Sequence, residues 1–414
     1  MLLRAAWVAP VGRPLIRDGF VQVRDGRIVA VDGWRVGPPT DADATDLGDV
    51  LLTPGLVNPH THLELTCYAG RMWPTSLWRW IGRLVRLRLR PGQAEREQDG
   101  AVAGAWRALR AGVTCVGDIS RRGDTWRALR DVPLRKVCFA ELLAIAAAPP
   151  RNVEELRAAV AAIPEDQRMS AGLAPHAPYT VPPAMLRATV QLARELGRPW
   201  CLHWCETPEE VAFLCGQRRR VPDVRTWWLR LLLGARGLTS PQMPPAELLR
   251  THLNDGPPGL LAHANYATEP EHVAALAAGG HTVVFCPRAH RFYGHPPHPW
   301  RALQAAGVPV AIGTDSAASG ATLSIIDELK FLLAQTPNPP PAATLLEMAT
   351  LVGARALGLS DRLGSLTPGK LADLVAFPLP ATTNGPTDEA DPFDAVIRAA
   401  PAPVGVWVGG ARVV

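Results

Sequence analysis

The stretch Leu51-Leu-Thr-Pro-Gly55-Leu-Val-Asn-Pro-His60-Thr-His62-Leu-Glu64 decides how the rest of the chain is read. Its short apolar run, bounded by Pro54-Gly55, has the signature of a buried strand. Residues i and i+2 of a strand share a face, so His60 and His62 project into one space where the strand stops. Two neutral imidazoles converging on a point are the first two ligands a divalent metal needs. An H-x-H pair is weak by itself, so the weight falls on whether the rest of the chain supplies the missing ligands.

Outward from that strand, short apolar runs alternate with helical patterns. The runs are 55–58, 113–119, 136–143, 169–175, 199–203, 259–263, 281–286 and 308–314, eight in all. Between them lie amphipathic stretches at 95–111, 153–162, 183–196, 269–278 and 300–306. Eight βα units point to an α/β protein built as a parallel (β/α)8 barrel, the TIM-like architecture. A doubly wound sheet is the competitor, but the chain has no G-x-G-x-x-G or P-loop opening a helix. Residues 216–258 exceed an ordinary βα connection and suggest an inserted helix or lid near the barrel mouth.

Both ends of the chain read as β. Asp25-Gly26 between two alternating runs signals a two-residue hairpin turn, and Gly409-Gly410 signals another near the C-terminus. Neither end is long enough to form a stable sheet alone, and pairing them solves that for both. The expected organisation is therefore 1–54 and 364–414 as one composite β-sandwich, with the barrel over 55–363. The segment 378–392, rich in Pro, Thr and Asp, reads as a surface loop.

With 414 residues, 47% hydrophobic and 20% charged, the composition is that of an ordinary globular protein. The net charge of +5 is slight, and its basic residues are scattered, so no nucleic-acid partner is expected. No uncharged apolar segment reaches the length of a membrane span, and the N-terminus lacks a signal-peptide core. Seven cysteines, an odd number with no compact framework, fit reduced thiols and a cytoplasmic setting. Cys201 and Cys205 flank His203, but their strand context favours core packing over zinc ligation.

Polar residues fall where the runs end, which in a parallel barrel is one mouth. They are His60 and His62, then Leu202-His203-Trp-Cys-Glu206, Ala262-His263-Ala-Asn, and Gly313-Thr-Asp315-Ser. Three imidazoles (His60, His62, His203) with the Asp315 carboxylate make a compact site suited to one Zn²⁺, or Fe²⁺.

These motifs resemble the amidohydrolase superfamily, within its cytosine, adenosine-type and triazine aminohydrolase branch. The matching pieces are Pro-Gly-Leu-Val-Asn-Pro-His60-Thr-His62, Gly112-Val-Thr, Ala174-Pro-His176-Ala-Pro-Tyr-Thr180, His203-x-x-Glu206, His263, Cys286-Pro, Gly-Thr-Asp315-Ser and Gly369-Lys-x-Ala-Asp-Leu, in the family's order across nearly the whole chain. The resemblance implies the barrel, the composite β domain, and a single metal held by His60, His62, His203 and Asp315. Two-metal members bridge their ions with a carboxylated lysine at the end of strand four. Here that run, 169–175, has no lysine, and a mononuclear site follows.

The residue types then suggest a hydrolytic deamination. The metal supplies acidified water, Asp315 accepts its proton, Glu206 protonates a ring nitrogen, and His263 polarises the water and steadies the tetrahedral intermediate. Glu206 has a rival reading, since Thr207-Pro-Glu-Glu is a helix start where a carboxylate is also at home. His176, Glu64 and Arg288 are the candidate substrate contacts. His176 reads equally as a turn residue, Glu64 as a structural hydrogen-bond partner, and Arg288 with His290, His295 and His298 as an exposed loop. His252, His272 and His281 read as surface residues. The expected substrate is a small molecule, an aminated purine or purine-nucleoside derivative, as in adenosine- and aminofutalosine-type deaminases. The same site could instead hydrolyse a triazine C–Cl, amide or imidazolone bond, and a third reading is a non-catalytic scaffold. Nothing in the sequence sets the oligomeric state, which leaves a homodimer open.

Overall fold

The computed structural model describes residues 1–37, 43–121, 124–145, 149–218, 240–380 and 391–414. Of the 216–258 segment read as an inserted helix or lid, 219–239 lie outside this set, as does most of the 378–392 loop. The described remainder of 216–258 includes a short helix, Pro245–Leu248, that runs on to Leu253.

From the N-terminus the chain forms β1 (Leu2–Val8), β2 (Ile16–Arg24), β3 (Arg27–Gly33), β4 (Ala44–Asp46) and β5 (Val50–Pro54). Asp25 and Gly26 turn β2 into β3 with φ of 51° and 73°, a left-handed pair that glycine and aspartate tolerate.

The eight apolar runs all become strands: β6 (Leu56–Thr61), β7 (Val113–Ser120), β8 (Arg135–Leu142), β9 (Met169–Pro175), β10 (Cys201–Trp204), β11 (Leu260–His263), β12 (Thr282–Phe285) and β13 (Val310–Ile312). They are almost wholly buried, which is why they read as continuous apolar runs rather than alternating ones. They pair in parallel as two sheets of four, β6-β7-β8-β9 and β10-β11-β12-β13. The edges of the two sheets meet at both seams. Leu173 bridges Trp200 at one, with the His203 amide donating to the His176 carbonyl at 2.9 Å. Thr61 bridges Asp315 at the other, where Asn58 Nδ2 donates to Thr314 Oγ1 at 2.8 Å. The first and last ligand-bearing segments are thus hydrogen-bonded neighbours.

After β13 the chain returns as β14 (Leu374–Pro378), β15 (Gly405–Val408) and β16 (Ala411–Arg412). These hydrogen-bond with the N-terminal strands into one eight-stranded sheet, β16-β15-β14-β5-β1-β2-β3, with β4 beside β1. Gly409 and Gly410, φ 57° and 78°, make the C-terminal turn. All seven cysteines are unpaired, five of them buried. Among the described residues no helix is long and apolar enough to cross a membrane.

Two surface expectations fail. His281 is fully buried and His272 nearly so, while His252 is half-buried. His281 Nδ1 accepts from the Gly259 amide at 3.0 Å and its Nε2 faces Asn254 Oδ1 at 3.0 Å. The side chain is a neutral cross-link between the approaches to β11 and β12, and a helix-end position hid this from a reading by pattern.

Candidate metal and active site

His60 lies inside β6, two residues further along than the apolar run alone implied, and His62 opens a 3₁₀ turn, Leu63–Tyr68. Asp118, on β7, fixes that turn by accepting from the Leu63 amide at 2.8 Å and from Thr125 Oγ1 at 2.9 Å. Because the strand stops at Thr61, Glu64 does not share a strand face with His62. Glu64 is buried against the Arg88 guanidinium instead.

The imidazoles of His60, His62 and His203 bring one ligand atom each to within 4.8 Å of one another, and so do His60, His263 and Asp315. Asp315 Oδ1 stands 3.9 Å from His60 Nε2 and 3.6 Å from His62 Nε2. Burial, and the crowding of neighbouring imidazoles after it, hold His60, His62 and His263 well below the usual histidine range. Burial likewise takes His203 down to about 4. A set of neutral imidazoles is what a cation requires.

Whether these residues fit a divalent ion can be tested on His60. Both its ring nitrogens are buried with no hydrogen-bond partner, a costly arrangement in a protein interior unless something accepts from or coordinates them. His203 donates Nδ1–H to the His176 carbonyl at 2.9 Å, which leaves Nε2 as a lone pair. Ligand atoms each about 2 Å from a shared ion lie up to about 4 Å apart, which accommodates the 3.9 and 3.6 Å separations of Asp315 Oδ1 from His60 and His62. The residues fit. Glu141, His176 and His203 form another grouping within 4.8 Å, but the one free nitrogen of His203 cannot serve two ions.

Four ligand-end residues carry left-handed backbone: Cys205 (φ 49°), His263 (71°), Ala264 (54°) and Asp315 (54°). None is glycine, and each such residue costs about 1 to 3 kcal/mol, the kind of strain that concentrates at functional sites. His298 steadies one of them, its Nε2 donating to the His263 carbonyl at 2.6 Å.

Glu206 Oε1 lies 3.6 Å from His263 Nε2. Burial, with Asp315 and Glu210 adding to it, pushes its carboxyl well above the ordinary range. The rival reading of Glu206 as a helix cap is not what forms. Thr207 caps the helix Pro208–Leu214, accepting from the Glu210 amide at 3.2 Å. Glu210, which sequence reasoning missed, accepts from the Cys205 and Glu206 amides at 2.8 and 3.0 Å and so clamps the backbone that presents Glu206. Its signal was present: Thr207-Pro-Glu-Glu210 is a capping box.

His176 joins the cluster, its ring 5.0 Å from that of His203. Thr180 Oγ1 donates to the Ala177 carbonyl, so the 2.8 Å contact with His176 Nδ1 makes that nitrogen the donor and leaves Nε2 an acceptor. Arg288 is not brought to the cluster. Its Nε donates to the Gly320 carbonyl at 3.0 Å and its guanidinium sits over the Phe331 ring.

Residues 51–413 match the Amidohydrolase family, and the chain belongs to it. It has that family's fold, of TIM-barrel type, and is a hydrolase of that class. It is 33% identical over 385 residues to a 5-methylthioadenosine/S-adenosylhomocysteine deaminase of Desulfovibrio desulfuricans, covering 90% of this chain and 80% of the other. The crystal structure of a Xanthomonas campestris adenosine deaminase with bound zinc superposes with a TM-score of 0.83 at 30% identity, over 99% of this chain and 92% of that one. A Helicobacter pylori aminofutalosine deaminase in complex with methylthio-coformycin shares the fold, with a TM-score of 0.84 at 24% identity and full coverage of both chains.

Proposed function

We propose that this protein is a mononuclear metal-dependent deaminase of a purine nucleoside derivative, releasing ammonia. The observation that carries the reading is the placement of Glu206 and His263, 3.6 Å apart, beside the cluster of His60, His62, His203 and Asp315. The same reading takes the eight parallel strands as a closed (β/α)8 barrel over 55–363 and the two termini as one composite β domain. The hydrogen bonds at both seams and the shared eight-stranded sheet support it.

His60, His62, His203 and Asp315 would hold the ion, with zinc favoured by the nitrogen-rich donor set and by the zinc in the Xanthomonas campestris relative. Such an ion supplies Lewis acidity, enough to make water a nucleophile at neutral pH. The chain's own groups do the rest. Asp315 Oδ2 accepts from Ser319 Oγ at 2.6 Å, which turns Oδ1 toward the imidazoles of His60 and His62, and the carboxylate takes up the proton of the water. Glu206 delivers its carboxyl proton to a ring nitrogen, which makes the amino-bearing carbon electrophilic. His263 Nε2 accepts a hydrogen bond from the attacking water, the proton taken up by Asp315 passes to the amino group, which leaves as ammonia, and the proton left on the new oxygen returns to Glu206 as the carbonyl forms. His176 Nε2 offers an acceptor to the bound substrate. Arg121, whose Nε is 3.9 Å from Glu141 Oε2, adds a cation on the His176 side.

The test is an ammonia-release screen of metal-loaded protein over aminopurines, aminopyrimidines, their nucleosides and chlorotriazines. Ammonia from purine nucleosides is the expected result. Chloride from the triazines without ammonia from any nucleoside would move the assignment to the dechlorinating branch.

A further inference from the structure

The reaction as derived uses Glu206 and His263 and leaves unused three histidines of the segment that follows β12. His290 lies on the helix Pro287–Tyr293, and His295 and His298 lie just beyond it. Their sequence reads as an exposed loop, yet all three are half-buried. The His290 ring stands 5.3 Å from that of His295 and 5.6 Å from that of His298. The His298 ring also stacks on Phe285, the last residue of β12, at 4.0 Å. Packing fixes these rings, and with them the groups that their nitrogens reach.

Burial holds His290 down to about 4 and His298 down to about 3, so each is a neutral ring with a single N–H to give. His298 gives its Nε2 proton to the His263 carbonyl at 2.6 Å, and its Nδ1 is left a buried lone pair with no partner. The proton of His290 is located by the buried side chain of Asn265. Asn265 Nδ2 donates to the Glu206 carbonyl at 3.1 Å, and a carbonyl can only accept, so the amide cannot be turned round. Its Oδ1, 3.0 Å from His290 Nδ1, must then receive, which puts the His290 proton on Nδ1. Both ring protons are thus committed to the backbone of the Glu206 and His263 pair, one directly and one through an amide.

That backbone needs holding. His263 and Ala264 are left-handed, as is Cys205 just before Glu206. Residues other than glycine keep such φ values only where their surroundings over-determine them. The Glu206 amide bonds the Glu210 side chain and its carbonyl bonds the Asn265 side chain. Fixing the carbonyls of residues 206 and 263 fixes the peptide planes from which the Glu206 carboxyl and the His263 ring, 3.6 Å apart, project.

We infer that His290 and His298 are positioning residues for proton transfer, His298 aiming His263 directly and His290 aiming Glu206 through Asn265. The inference rests on the deaminase reading above, in which these two side chains handle the protons. Its effect falls on the chemical step, where an error of orientation lowers the rate while metal and substrate stay bound.

The experiment follows ammonia release from the best purine nucleoside of the screen above, with metal content and thermal melting measured for every variant. His298→Phe and His290→Leu remove the N–H groups. His298→Gln and His290→Asn return an amide donor near the lost Nε2 and Nδ1. Removing either N–H should lower kcat about threefold to tenfold, the equivalent of a neutral hydrogen bond, with KM and metal content close to wild type. The amide variants should recover most of that loss. On a Glu206→Gln background, His290→Leu should lower kcat no further, because no proton is left for it to aim. An unchanged kcat, a loss that the amide variants share in full, or a His290→Leu loss undiminished on the Glu206→Gln background overturns the inference while the deaminase reading stands. No ammonia from any purine nucleoside with wild type overturns the reading and the inference with it.

Discussion

Glu206 precedes the cap of the helix Pro208–Leu214 and Glu210 lies in its first turn, and the two carboxyls make different contacts. Glu210 is committed to two backbone amides, at 2.8 and 3.0 Å, and burial brings its carboxyl up to about 7. Glu206 turns its carboxyl toward His263, 3.6 Å from Nε2. Glu206→Gln removes the transferable proton and keeps the size, so metal content should stay at the wild-type level while kcat falls by about 10²- to 10⁴-fold. Normal turnover by that variant would contradict the proton assignment. Glu210→Gln should act through geometry. Loss of one of the two acceptor oxygens of the clamp predicts a several-fold lower kcat with little change in KM, and a stability loss of about 1 to 3 kcal/mol in a urea titration. An unchanged kcat would show that the backbone holds Glu206 without it. Among single residues, the convergence of His60, His62, His203 and His263 was legible because each sits in a short motif at a run's end. Glu64 and Arg288 were not, because their fate depends on Arg88, Gly320 and Phe331, which are far away in the chain or in no motif.

Strands and their junctions set the next level. The eight apolar runs announce the eight parallel strands because burial on both faces leaves a plain apolar signal. The helix Leu77–Arg88 went unseen, since its two tryptophans and five other apolar residues read as composition rather than as a helical period. The histidine between β11 and β12 was misplaced on the surface for a related reason. His281 is held down to about 4 by burial, and its Nδ1 must stay unprotonated to accept from Gly259. The folded value lies below the unfolded one of about 6.5. Its contribution to stability is therefore complete above pH 6.5 and is lost as pH falls toward 4, by on the order of 3 kcal/mol. His281→Gln should lower stability at pH 7 and flatten the acid limb of the stability curve by about one proton. Chemical denaturation at stepped pH reads this directly, and an unchanged acid slope would remove His281 as its source.

At the scale of the molecule, the terminal sheet is tied to the parallel strands by one buried ion pair. Arg135 at the start of β8 donates from Nε and Nη2 to the two oxygens of Asp373, just before β14, at 2.8 and 3.0 Å. The Gly409 amide bonds the same carboxylate at 2.7 Å. Asp373→Asn leaves the Arg135 charge buried without its counter-ion, and such losses run to about 3 to 5 kcal/mol. Thermal melting should show a marked drop with the ammonia-releasing activity intact at low temperature, whereas unchanged melting would mean that the terminal sheet stays in place without this tie. The terminal hairpins were legible from Asp25-Gly26 and Gly409-Gly410, but this pair was not, because 238 residues separate its members.

The whole account depends on four side chains from β6, β10 and the end of β13 holding a single ion. Elemental analysis of the purified protein tests this most directly. One divalent ion per chain is predicted for wild type and for Glu206→Gln, and close to none for a folded His203→Ala, which should also release no ammonia. Two ions per chain, or a His203→Ala protein that keeps its metal, would contradict it.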